Sequence, residues 1–391
     1  MSHFGSWNFF NDTRIYGGEP FPKGLEPHLD THVSVLYVTS SGSTKRGVTA
    51  QVEALFQEKG IKYRILDNVS SIPSFYDLEH IPEQMDNFRP ELIIGVGGGS
   101  VLDMAKILSY VYSDNAPSIE EIINALTTGQ KLSLTNPIPF IACPTTAGTG
   151  SEVTPFATLW DLVAKKKYSV AMGKLHPKKA ILFPELTTSL PWSVTMSTGL
   201  DALSQCMESV WNKNCTPITL VLAAAGARNV LSALPILKDN LTDVSARTII
   251  LEASLLSGMC IAQTRTAMAH AISYPLTAHL NTPHGIACSF TLPELWDYNL
   301  LEDDGRMISF SKALGYEAYK LKDVLINFMM SLGFTEEFNK TVHSVPMVTD
   351  FSSEMYTPGR ADNTLREFSE EALTQFLEIS TNRWLTRARP Y

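Results

Sequence analysis

The sequence predicts two domains, an α/β domain in the first half and an all-helical domain in the second. Short apolar runs rich in β-branched residues alternate with helix-length segments up to about Pro184, and long helical patterns follow. Two glycine-rich loops directly follow apolar runs in the first half. We therefore expect the α/β domain over residues 1–188 and the helical domain over residues 189–391.

The composition predicts an ordinary soluble protein. The chain has 391 residues, of which 44% are hydrophobic and 18% charged, enough for two substantial cores. A formal net charge of −9 argues against nucleic acid or an anionic membrane as the main partner. The longest apolar runs fall far short of the roughly 20 residues that span a bilayer. Because the N-terminus lacks a basic start followed by an apolar stretch, we expect a cytoplasmic location.

The α/β rhythm begins early in the chain. Residues 32–39 form a β-branched apolar run that predicts a buried strand, and residues 40–47 predict a turn. A helix is expected over residues 47–60 and the next strand over residues 62–66. This strand, helix, strand order is typical of a parallel sheet with crossover helices.

Two loops at strand ends predict a nucleotide site. The apolar run from residue 91 leads directly into Gly97, Gly98, Gly99 and Ser100 and then into a helix, where free N–H groups can meet a pyrophosphate. A second strand, residues 139–143, leads into Pro-Thr-Thr-Ala-Gly-Thr-Gly-Ser-Glu. Ligands bind at this edge of open parallel sheets, so a Rossmann-like dinucleotide site is favoured over ordinary glycine turns.

The second half predicts long helices. A basic run at residues 165–167, interpreted as a solvated charge run, precedes it, and Thr198 is expected to cap the first helix. The tail, residues 381–391, shows no pattern. The expected helices cover residues 198–211, 218–234, 245–261, 306–314 and 370–379.

Three of the nine histidines lie between Thr266 and Gly285. A helix that runs up to Pro275 puts His270 and Tyr274 on one face, while His284 follows a cap pattern for the next helix. Neutral imidazole is a frequent metal ligand, although either histidine could instead be a satisfied core or capping residue.

Asp201 and Gln205 are spaced to share one face of an upstream helix. A carboxylate among apolar neighbours is costly to bury unless it is paired or binds a cation. Asp201 with His270 and His284 therefore indicates a site for a divalent first-row metal. The five cysteines lack CxxC spacing, so we expect reduced, mostly buried thiols and no thiolate metal site.

Several motifs together resemble the iron-dependent (group III) alcohol dehydrogenase family. They are Gly97-Gly-Gly-Ser followed by Asp103 and Lys106, the Pro144–Glu152 loop, Gly199-Leu-Asp-Ala-Leu, and Asn281-Thr-Pro-His-Gly. The resemblance implies the dehydroquinate synthase-like fold of that family, with NAD(P) and a divalent metal, Fe²⁺ or Zn²⁺, in a cleft between the domains. It also implies a homodimer.

By position, the resemblance implies a residue for each part of the site. Asp201, His270 and His284 would bind the metal, and Gln205 stands where the family has a further histidine. Lys167 would lie near the cofactor and, with Tyr274 and Arg265, serve catalysis. The implied cofactor-binding residues are Ser40, Arg46, Gly97, Gly98, Gly99, Ser100, Asp103, Thr145, Thr146, Thr149 and Lys167.

Departures from the family pattern refine these expectations. Gln205 is a weaker donor to iron than histidine, or leaves the metal and only hydrogen-bonds near it. Tyr274, also at a family histidine position, can relay or donate a proton. Ser40 replaces an acid that favours NAD, and Lys45 and Arg46 beside it make room for a 2′-phosphate, unless they only form a solvated turn. NADPH, or use of both cofactors, is therefore expected.

Arg265 lies just over one turn before His270, on the helix expected to line the substrate pocket. Its planar guanidinium suits phosphate-like or carboxylate groups, which predicts an anionic aldehyde unless the helix turns it outward. Together with Arg360, the pattern resembles the branch that reduces phosphonoacetaldehyde to 2-hydroxyethylphosphonate. The alternatives are a general short-chain alcohol or diol dehydrogenase and a non-catalytic nucleotide-binding protein without a metal.

Overall fold

The computed structural model describes residues 4–30, 33–130, 136–171, 175–356 and 360–385. The chain divides into two compact units between Thr187 and Thr188. The α/β unit contains residues 11–146 and 151–187, and the helical unit contains the rest. Residues up to Phe10 and the segment Ala147–Gly150 belong to the helical unit, which the sequence did not indicate.

The α/β unit is built on a six-stranded sheet in which every pairing is parallel. A two-stranded antiparallel hairpin is separate from it, and it includes Lys167 from the basic run interpreted as solvated. The sheet strands are β1 Arg14–Gly17, β2 Val35–Val38, β3 Tyr63–Leu66, β4 Leu92–Gly97, β5 Phe140–Pro144 and β8 Lys179–Leu182, and the hairpin strands are β6 Ala157–Asp161 and β7 Lys166–Val170.

The sheet order is β1-β8-β5-β4-β2-β3. Side chains of β2 alternate between the two faces: Leu36 and Val38 pack in one apolar cluster, and Val35 and Tyr37 in the other. Because both faces are covered, β2 reads in sequence as a continuous apolar run. The sequence missed β1, β8 and the hairpin, which are short.

Five α-helices lie in the described residues of this unit. The first, α1, occupies residues that were expected to form a turn; Ser40 caps it by accepting a hydrogen bond from the backbone N–H of Ser43. The expected helix after it is α2. The helices are α1 Ser41–Lys45, α2 Val48–Glu58, α3 Phe75–Met85, α4 Gly99–Val111 and α5 Ile119–Thr128.

The second unit is helical, as predicted. Its three longest helices, α6 to α8, pack on one another, and α10 packs on α6 and α9. The helices are α6 Trp192–Val210, α7 Pro217–Asp239, α8 Val244–Thr264, α9 Met268–Leu280, α10 His284–Ser289, α11 Leu292–Leu300, α12 Arg306–Leu314, α13 Leu321–Leu332, α14 Phe334–Phe338, α15 Pro346–Thr349, α16 Ser352–Met355 and α17 Glu370–Trp384.

Two of the helix boundaries that differ from the prediction lie next to the predicted metal ligands. Helix α6 begins at Trp192, so Thr198 lies inside it and donates a hydrogen bond to the carbonyl of Val194 instead of capping the helix. Helix α9 continues through Pro275 and ends only at Asn281, which adopts a left-handed conformation with φ 54°. A proline inside a helix removes one hydrogen bond, and here the surrounding packing tolerates it.

Helices α7 and α8 are long and apolar enough to cross a membrane by length and composition alone. In the structure they pack against each other and against α6. Arg247 of α8 is buried and donates hydrogen bonds to Thr195 Oγ1 and to the carbonyl of Leu190. These are the contacts of core helices.

Candidate active site

The turn between β4 and α4 can be made only with glycine. A Cβ on Gly97 would lie 2.4 Å from Cβ of Val101, and one on Gly98 would lie 3.2 Å from Oγ1 of Thr146. Gly98 precedes the first residue of α4 without a side-chain cap, so the first N–H groups of the helix are left for a ligand. This is the geometry of a phosphate site.

The ends of β2, β4 and β5 are tied together. Thr39 Oγ1 donates to the carbonyl of Val96 at 2.7 Å, and the N–H of Thr145 donates to the carbonyl of Gly97 at 2.9 Å. The strand order reverses between β2 and β4. Ligands of open parallel sheets bind outside the carboxyl ends of strands at such a reversal. The predicted cofactor residues Gly97 to Ser100, Thr145 and Thr146 therefore lie at one edge of this sheet.

Asp103 of α4 accepts hydrogen bonds from the loop that follows β5 and from β6. Its Oδ1 accepts a hydrogen bond from Ser151 Oγ at 2.6 Å and its Oδ2 accepts one from the N–H of Thr158 at 2.8 Å. The fully buried ammonium of Lys106 donates to Ser151 Oγ and to Thr154 Oγ1. Both carboxylate oxygens of Asp103 are thus used within the protein, so its predicted contact with the cofactor has no visible support.

The other predicted cofactor residues occupy three places. Ser40 lies at the end of β2, and Arg46 is close by because its Nη2 donates to Ser43 Oγ at 3.4 Å. Lys167 lies on β7, and Thr149 lies in the short segment that belongs to the helical unit. Their contacts with a cofactor stay predictions.

Three helices of the second unit bring the predicted metal ligands together. Asp201 comes from α6, His270 from α9 and His284 from α10. One ligand atom from each of them, together with the sulfur of Cys288, lies within 4.8 Å of the others. Oδ1 of Asp201 and Nε2 of His270 are 3.3 Å apart. The ligand set inferred from the sequence is therefore one cluster in space.

A glycine sets the distance between α10 and α6. A Cβ on Gly285 would lie 1.7 Å from the carbonyl oxygen of Ser197 and 3.1 Å from the backbone nitrogen of Asp201. No other residue allows this approach. Gly285 follows His284 directly, so the same contact brings that histidine to Asp201.

The buried carboxylate of Glu208 fixes the orientation of the His270 ring. The sequence indicated no role for Glu208. Glu208 Oε2 lies 2.5 Å from Nδ1 of His270, and its Oε1 accepts a hydrogen bond from the N–H of the same residue at 3.2 Å. The pair leaves Nε2 directed at Asp201. Glu208 lies two helical turns after Asp201 on α6, and this spacing is the signal that could have found it.

The electrostatics of the cluster favour a cation. Burial raises the pKa of Asp201, but a hydrogen bond from His270 and the charge of His284 lower it more, so that the net shift is downward. Burial lowers the pKa of His270, yet Cys288, Glu208 and Asp201 raise it well above its ordinary value. Oδ1 of Asp201 is buried and faces Nε2 of His270 at 3.3 Å, but the geometry of the two groups does not make a well-formed hydrogen bond, which leaves that oxygen able to bind a cation. A divalent metal ion fits this donor set.

Gln205 is beside the cluster but is already engaged. Its Oε1 accepts a hydrogen bond from Ser257 Oγ at 2.8 Å, and its side chain helps to lower the pKa of Asp201. It is 3% exposed. This geometry agrees with the alternative in which Gln205 only hydrogen-bonds near the metal.

All five cysteines are free and buried, as expected. The sequence suggested no thiolate metal site, yet the sulfur of Cys288 lies in the cluster of candidate ligands. CxxC spacing is uninformative when the ligands come from separate helices, as they do here.

A stack of side chains leads away from His284. Tyr274 is parallel to its ring, with the centroids 6.0 Å apart, and the guanidinium of Arg360 lies 4.8 Å from the centroid of Tyr274. The segment carrying Arg360 is held by Asn363 Nδ2, which donates to the carbonyl of Thr266 at 3.1 Å. Pro358, which precedes Arg360, lies outside the described residues.

The sequence suggested that Arg265 lies on the helix that carries His270. In the structure it does not. It terminates α8 with φ 64° and ψ 177°, a conformation that is almost exclusive to glycine. Its side chain keeps access to solvent, yet desolvation, followed by the charge of Arg360, lowers the pKa of its guanidinium. The positive charge of Arg360 is thus one of the two causes of the lowered pKa of Arg265.

His279, for which the sequence gave no role, takes no part in the cluster. Its Nε2 lies 3.0 Å from a carboxylate oxygen of Glu354, and its ring stacks on Phe351.

Known proteins are similar to this chain in sequence and in fold. Residues 13–184 match the family profile of iron-containing alcohol dehydrogenase, and residues 195–351 match the C-terminal profile of the Fe-containing alcohol dehydrogenase family. A phosphonoacetaldehyde reductase of Streptomyces viridochromogenes is 36% identical over 220 residues, 56% of each chain, so the match spans little more than half of that relative. A sulfoacetaldehyde reductase of Bilophila wadsworthia is 33% identical over 264 residues, 68% of this chain and 67% of that protein.

Solved structures agree with these sequence matches. The crystal structure of sulfoacetaldehyde reductase from Bifidobacterium kashiwanohense in complex with NAD⁺ has a TM-score of 0.86 at 26% identity, covering 97% of this chain and 99% of that one. The predicted family and fold are confirmed, and so is the predicted class of enzyme, an NAD(P)-dependent alcohol dehydrogenase or aldehyde reductase. This chain belongs to the iron-containing alcohol dehydrogenase family.

Proposed function

We propose that this chain reduces a small anionic aldehyde to a primary alcohol with NAD(P)H and a divalent metal. Phosphonoacetaldehyde, which would give 2-hydroxyethylphosphonate, is the first candidate. The observation that carries the proposal is the guanidinium of Arg360, which lies 4.8 Å from the centroid of the Tyr274 ring beside the candidate ligand His284, with the charge of Arg360 also acting on Arg265. Arg360 lies on Tyr274, and Tyr274 is stacked on the candidate ligand His284.

The arginine pair supports an anionic substrate. Two guanidinium groups close to each other repel, and the lowered pKa of Arg265 reflects this repulsion after the effect of desolvation. An anion bound to both would relieve the repulsion and accept several charge-assisted hydrogen bonds. The strained backbone of Arg265 supports the same reading, because strain of this kind concentrates at functional sites.

Charge favours a phosphonate over a sulfonate. Both groups are tetrahedral, but a phosphonate near neutral pH carries up to two negative charges and a sulfonate carries one. Two arginines match the dianion better. One relative is named for each aldehyde, and the two are 36% and 33% identical to this chain. Sequence identity therefore does not separate the two candidates, whereas the charge of the anion does.

The chain provides the ligands for the metal and fixes their orientation. Asp201, His270 and His284 would hold the ion, and Glu208 keeps Nε2 of His270 directed at the site. A bound divalent metal supplies a Lewis acid for the aldehyde carbonyl, and a reduced nicotinamide supplies the hydride. Arg265 and Arg360 would hold the distal anion and so orient the carbonyl carbon for attack.

The reaction also consumes one proton, and Tyr274 is the candidate donor or relay. Its hydroxyl would give a proton to the oxygen that becomes the alcohol and recover one from solvent. The ring is half-buried and stacked on His284, which keeps it beside the proposed metal site. Lys167, which the sequence also assigned to catalysis, has no contact that supports a role in this step.

NADPH is the proposed cofactor, with NADH as an alternative. Arg46 lies close to Ser40 at the end of β2, where an acid would exclude a 2′-phosphate. The phosphates would lie at the start of α4, beside Gly98 and Thr146. A homodimer and a cytoplasmic location complete the proposal; light scattering of the purified protein tests the first.

The experiment is NAD(P)H oxidation by protein loaded with Fe²⁺ or Zn²⁺, with phosphonoacetaldehyde, sulfoacetaldehyde, succinic semialdehyde and propanal. We expect metal-dependent turnover with the two tetrahedral anions preferred and phosphonoacetaldehyde first. Equal or faster reduction of propanal would identify a general alcohol dehydrogenase instead. Cofactor binding without turnover under any metal would identify a nucleotide-binding protein.

A further inference from the structure

The sulfur of Cys288 lies at the candidate metal site. It is 3.6 Å from Nε2 of His284 and 3.8 Å from Nδ1 of the same ring. Its ligand atom and those of Asp201, His270 and His284 all lie within 4.8 Å of one another. Cys288 is fully buried.

The local structure explains this position. His284 and Cys288 are four residues apart on α10, so their side chains share one face of that helix. The close approach of α10 to α6 at Gly285 presses the same face against Asp201. The contact between α10 and α6 therefore positions the thiol of Cys288 together with the imidazole of His284.

Two separations within the cluster fit a tetrahedral ion. Metal–sulfur bonds of about 2.3 Å and metal–nitrogen or metal–oxygen bonds of about 2.0–2.2 Å put neighbouring ligand atoms of a tetrahedron roughly 3.3–3.7 Å apart. The observed separations are 3.6 Å between Cys288 and His284 and 3.3 Å between Asp201 and His270.

Gln205 stands at the sequence position where the family has a further histidine, and its side chain is engaged within the protein. The amide oxygen of Gln205 accepts a hydrogen bond from the hydroxyl of Ser257 at 2.8 Å, so that oxygen is already engaged within the protein. Without a further donor, Asp201, His270 and His284 would be the complete set of protein ligands.

We propose that Cys288 is the fourth protein ligand of the metal and binds it as a thiolate. The metal–sulfur bond forms as the thiol proton leaves to solvent, with no change in oxidation state. This inference rests on the proposed metal site. An Asp-His₂-Cys set is softer than one made of nitrogen and oxygen alone, so Zn²⁺ and Co²⁺ should be retained better than Fe²⁺.

The test uses the full-length protein loaded with Co²⁺, because a cobalt–thiolate bond gives a charge-transfer band in the near-ultraviolet that nitrogen and oxygen ligands lack. We expect this band in the wild type with one Co²⁺ per chain, its loss in Cys288→Ala, and its retention in Cys206→Ala. Cys206 is a matched control, since it is a fully buried thiol on α6 outside the cluster.

Metal content separates failure of this inference from failure of the proposed site. Wild-type protein that binds one Co²⁺ without the band, or a band unchanged in Cys288→Ala, overturns the thiolate. Failure of Asp201→Ala to reduce bound Co²⁺, or absence of bound Co²⁺ in the wild type, overturns the whole metal site. If Cys288→Ala does not fold, Cys288→Ser must show the same loss of the band. Gln205→His combined with Cys288→Ala should recover Co²⁺ binding without the band.

Discussion

Nδ1 of His270 lies 2.5 Å from Oε2 of Glu208, and both side chains are buried. Because the two residues come from different helices, α9 and α6, this contact fixes the imidazole relative to Asp201 on the same α6. It also selects the ring form in which Nε2 carries the lone pair that a metal needs. Glu208 is thus a positioning residue for the proposed metal site.

Replacing Glu208 by glutamine should weaken metal binding about 10- to 100-fold, the usual effect of removing such an outer hydrogen-bond acceptor. The amide no longer stabilises the donating ring nitrogen with a full negative charge. Competition for Zn²⁺ with a chelator of known affinity measures the change. An exposed acid such as Glu302 is the matched control, and an equal effect of Glu302→Gln would contradict the assignment.

Replacing Gly285 by alanine should disrupt the cluster. The added Cβ would meet the carbonyl of Ser197 at 1.7 Å, so α10 must move away from α6. We expect the free energy of unfolding to fall by about 2 kcal/mol or more and bound metal to be lost with it. Gly5→Ala serves as the control, because its Cβ would have no neighbour within 4 Å. Chemical denaturation and metal analysis check both variants.

Much of the framework could be predicted from the sequence because its signals are local. Buried parallel strands are continuous apolar runs, the turn after β4 needs its glycines, and the helices of the second half have clear periodicity. The grouping of Asp201, His270 and His284 was also predicted, with support from the family motifs. These ligands are spread over α6, α9 and α10, and the structure brings them together.

The remainder depends on contacts between residues far apart in the chain. Glu208 and Cys288 carry no motif, and their roles appear only when α6, α9 and α10 pack together. The sequence did not indicate that α8 ends at Arg265, because residues other than glycine rarely adopt a positive φ. Strand β1 has mostly exposed side chains, so it lacks the apolar run by which a buried strand is recognised.

The strain at Arg265 predicts a difference between two variants. Glycine adopts the positive φ at position 265 without strain, whereas alanine does not. The Arg265→Gly variant should therefore be more stable than the Arg265→Ala variant by about 1 kcal/mol. Both should lose preference for the anionic aldehyde to the same extent. Urea denaturation and kcat/KM measurements check the two parts. A more stable alanine variant would show that the backbone is not strained.

Ser40 should determine the choice of nicotinamide cofactor. Ser40→Asp introduces a negative charge at the end of β2 and should lower kcat/KM for NADPH about 10- to 100-fold while sparing NADH. Aspartate caps helices as well as serine does, so α1 should remain intact. Ser40→Asn, an uncharged cap of similar size to aspartate, is the control. Equal losses with both cofactors would contradict a 2′-phosphate contact.

Glu152 should make stability depend on pH. Burial raises its pKa to about 7, although a hydrogen bond to its own backbone and the charge of Lys106 oppose the shift. The folded state therefore holds a proton that the unfolded state, with a pKa of 4.5, has lost. The contribution of Glu152 to stability declines as pH rises from about 4.5 to about 7.

Replacing Glu152 by the neutral glutamine removes this dependence. Relative to the wild type, Glu152→Gln should gain on the order of 2 kcal/mol in unfolding free energy between pH 5 and pH 7.5. Lys106, whose pKa burial lowers to about 8 despite the charges of Asp103 and Glu152, stays largely protonated at both values. Urea denaturation at the two pH values measures the difference, and a constant difference would show that Glu152 is ionised throughout.

Arg360, which lies against the ring of Tyr274, is proposed to select an anionic aldehyde together with Arg265. The most direct measurement is the ratio of kcat/KM for phosphonoacetaldehyde to kcat/KM for propanal, compared between the wild type and Arg360→Ala. Loss of a charge-assisted contact of about 1.5–3 kcal/mol should reduce this ratio about 10- to 100-fold, entirely through phosphonoacetaldehyde. An unchanged ratio, or an equal fall for both aldehydes, would contradict the proposed substrate.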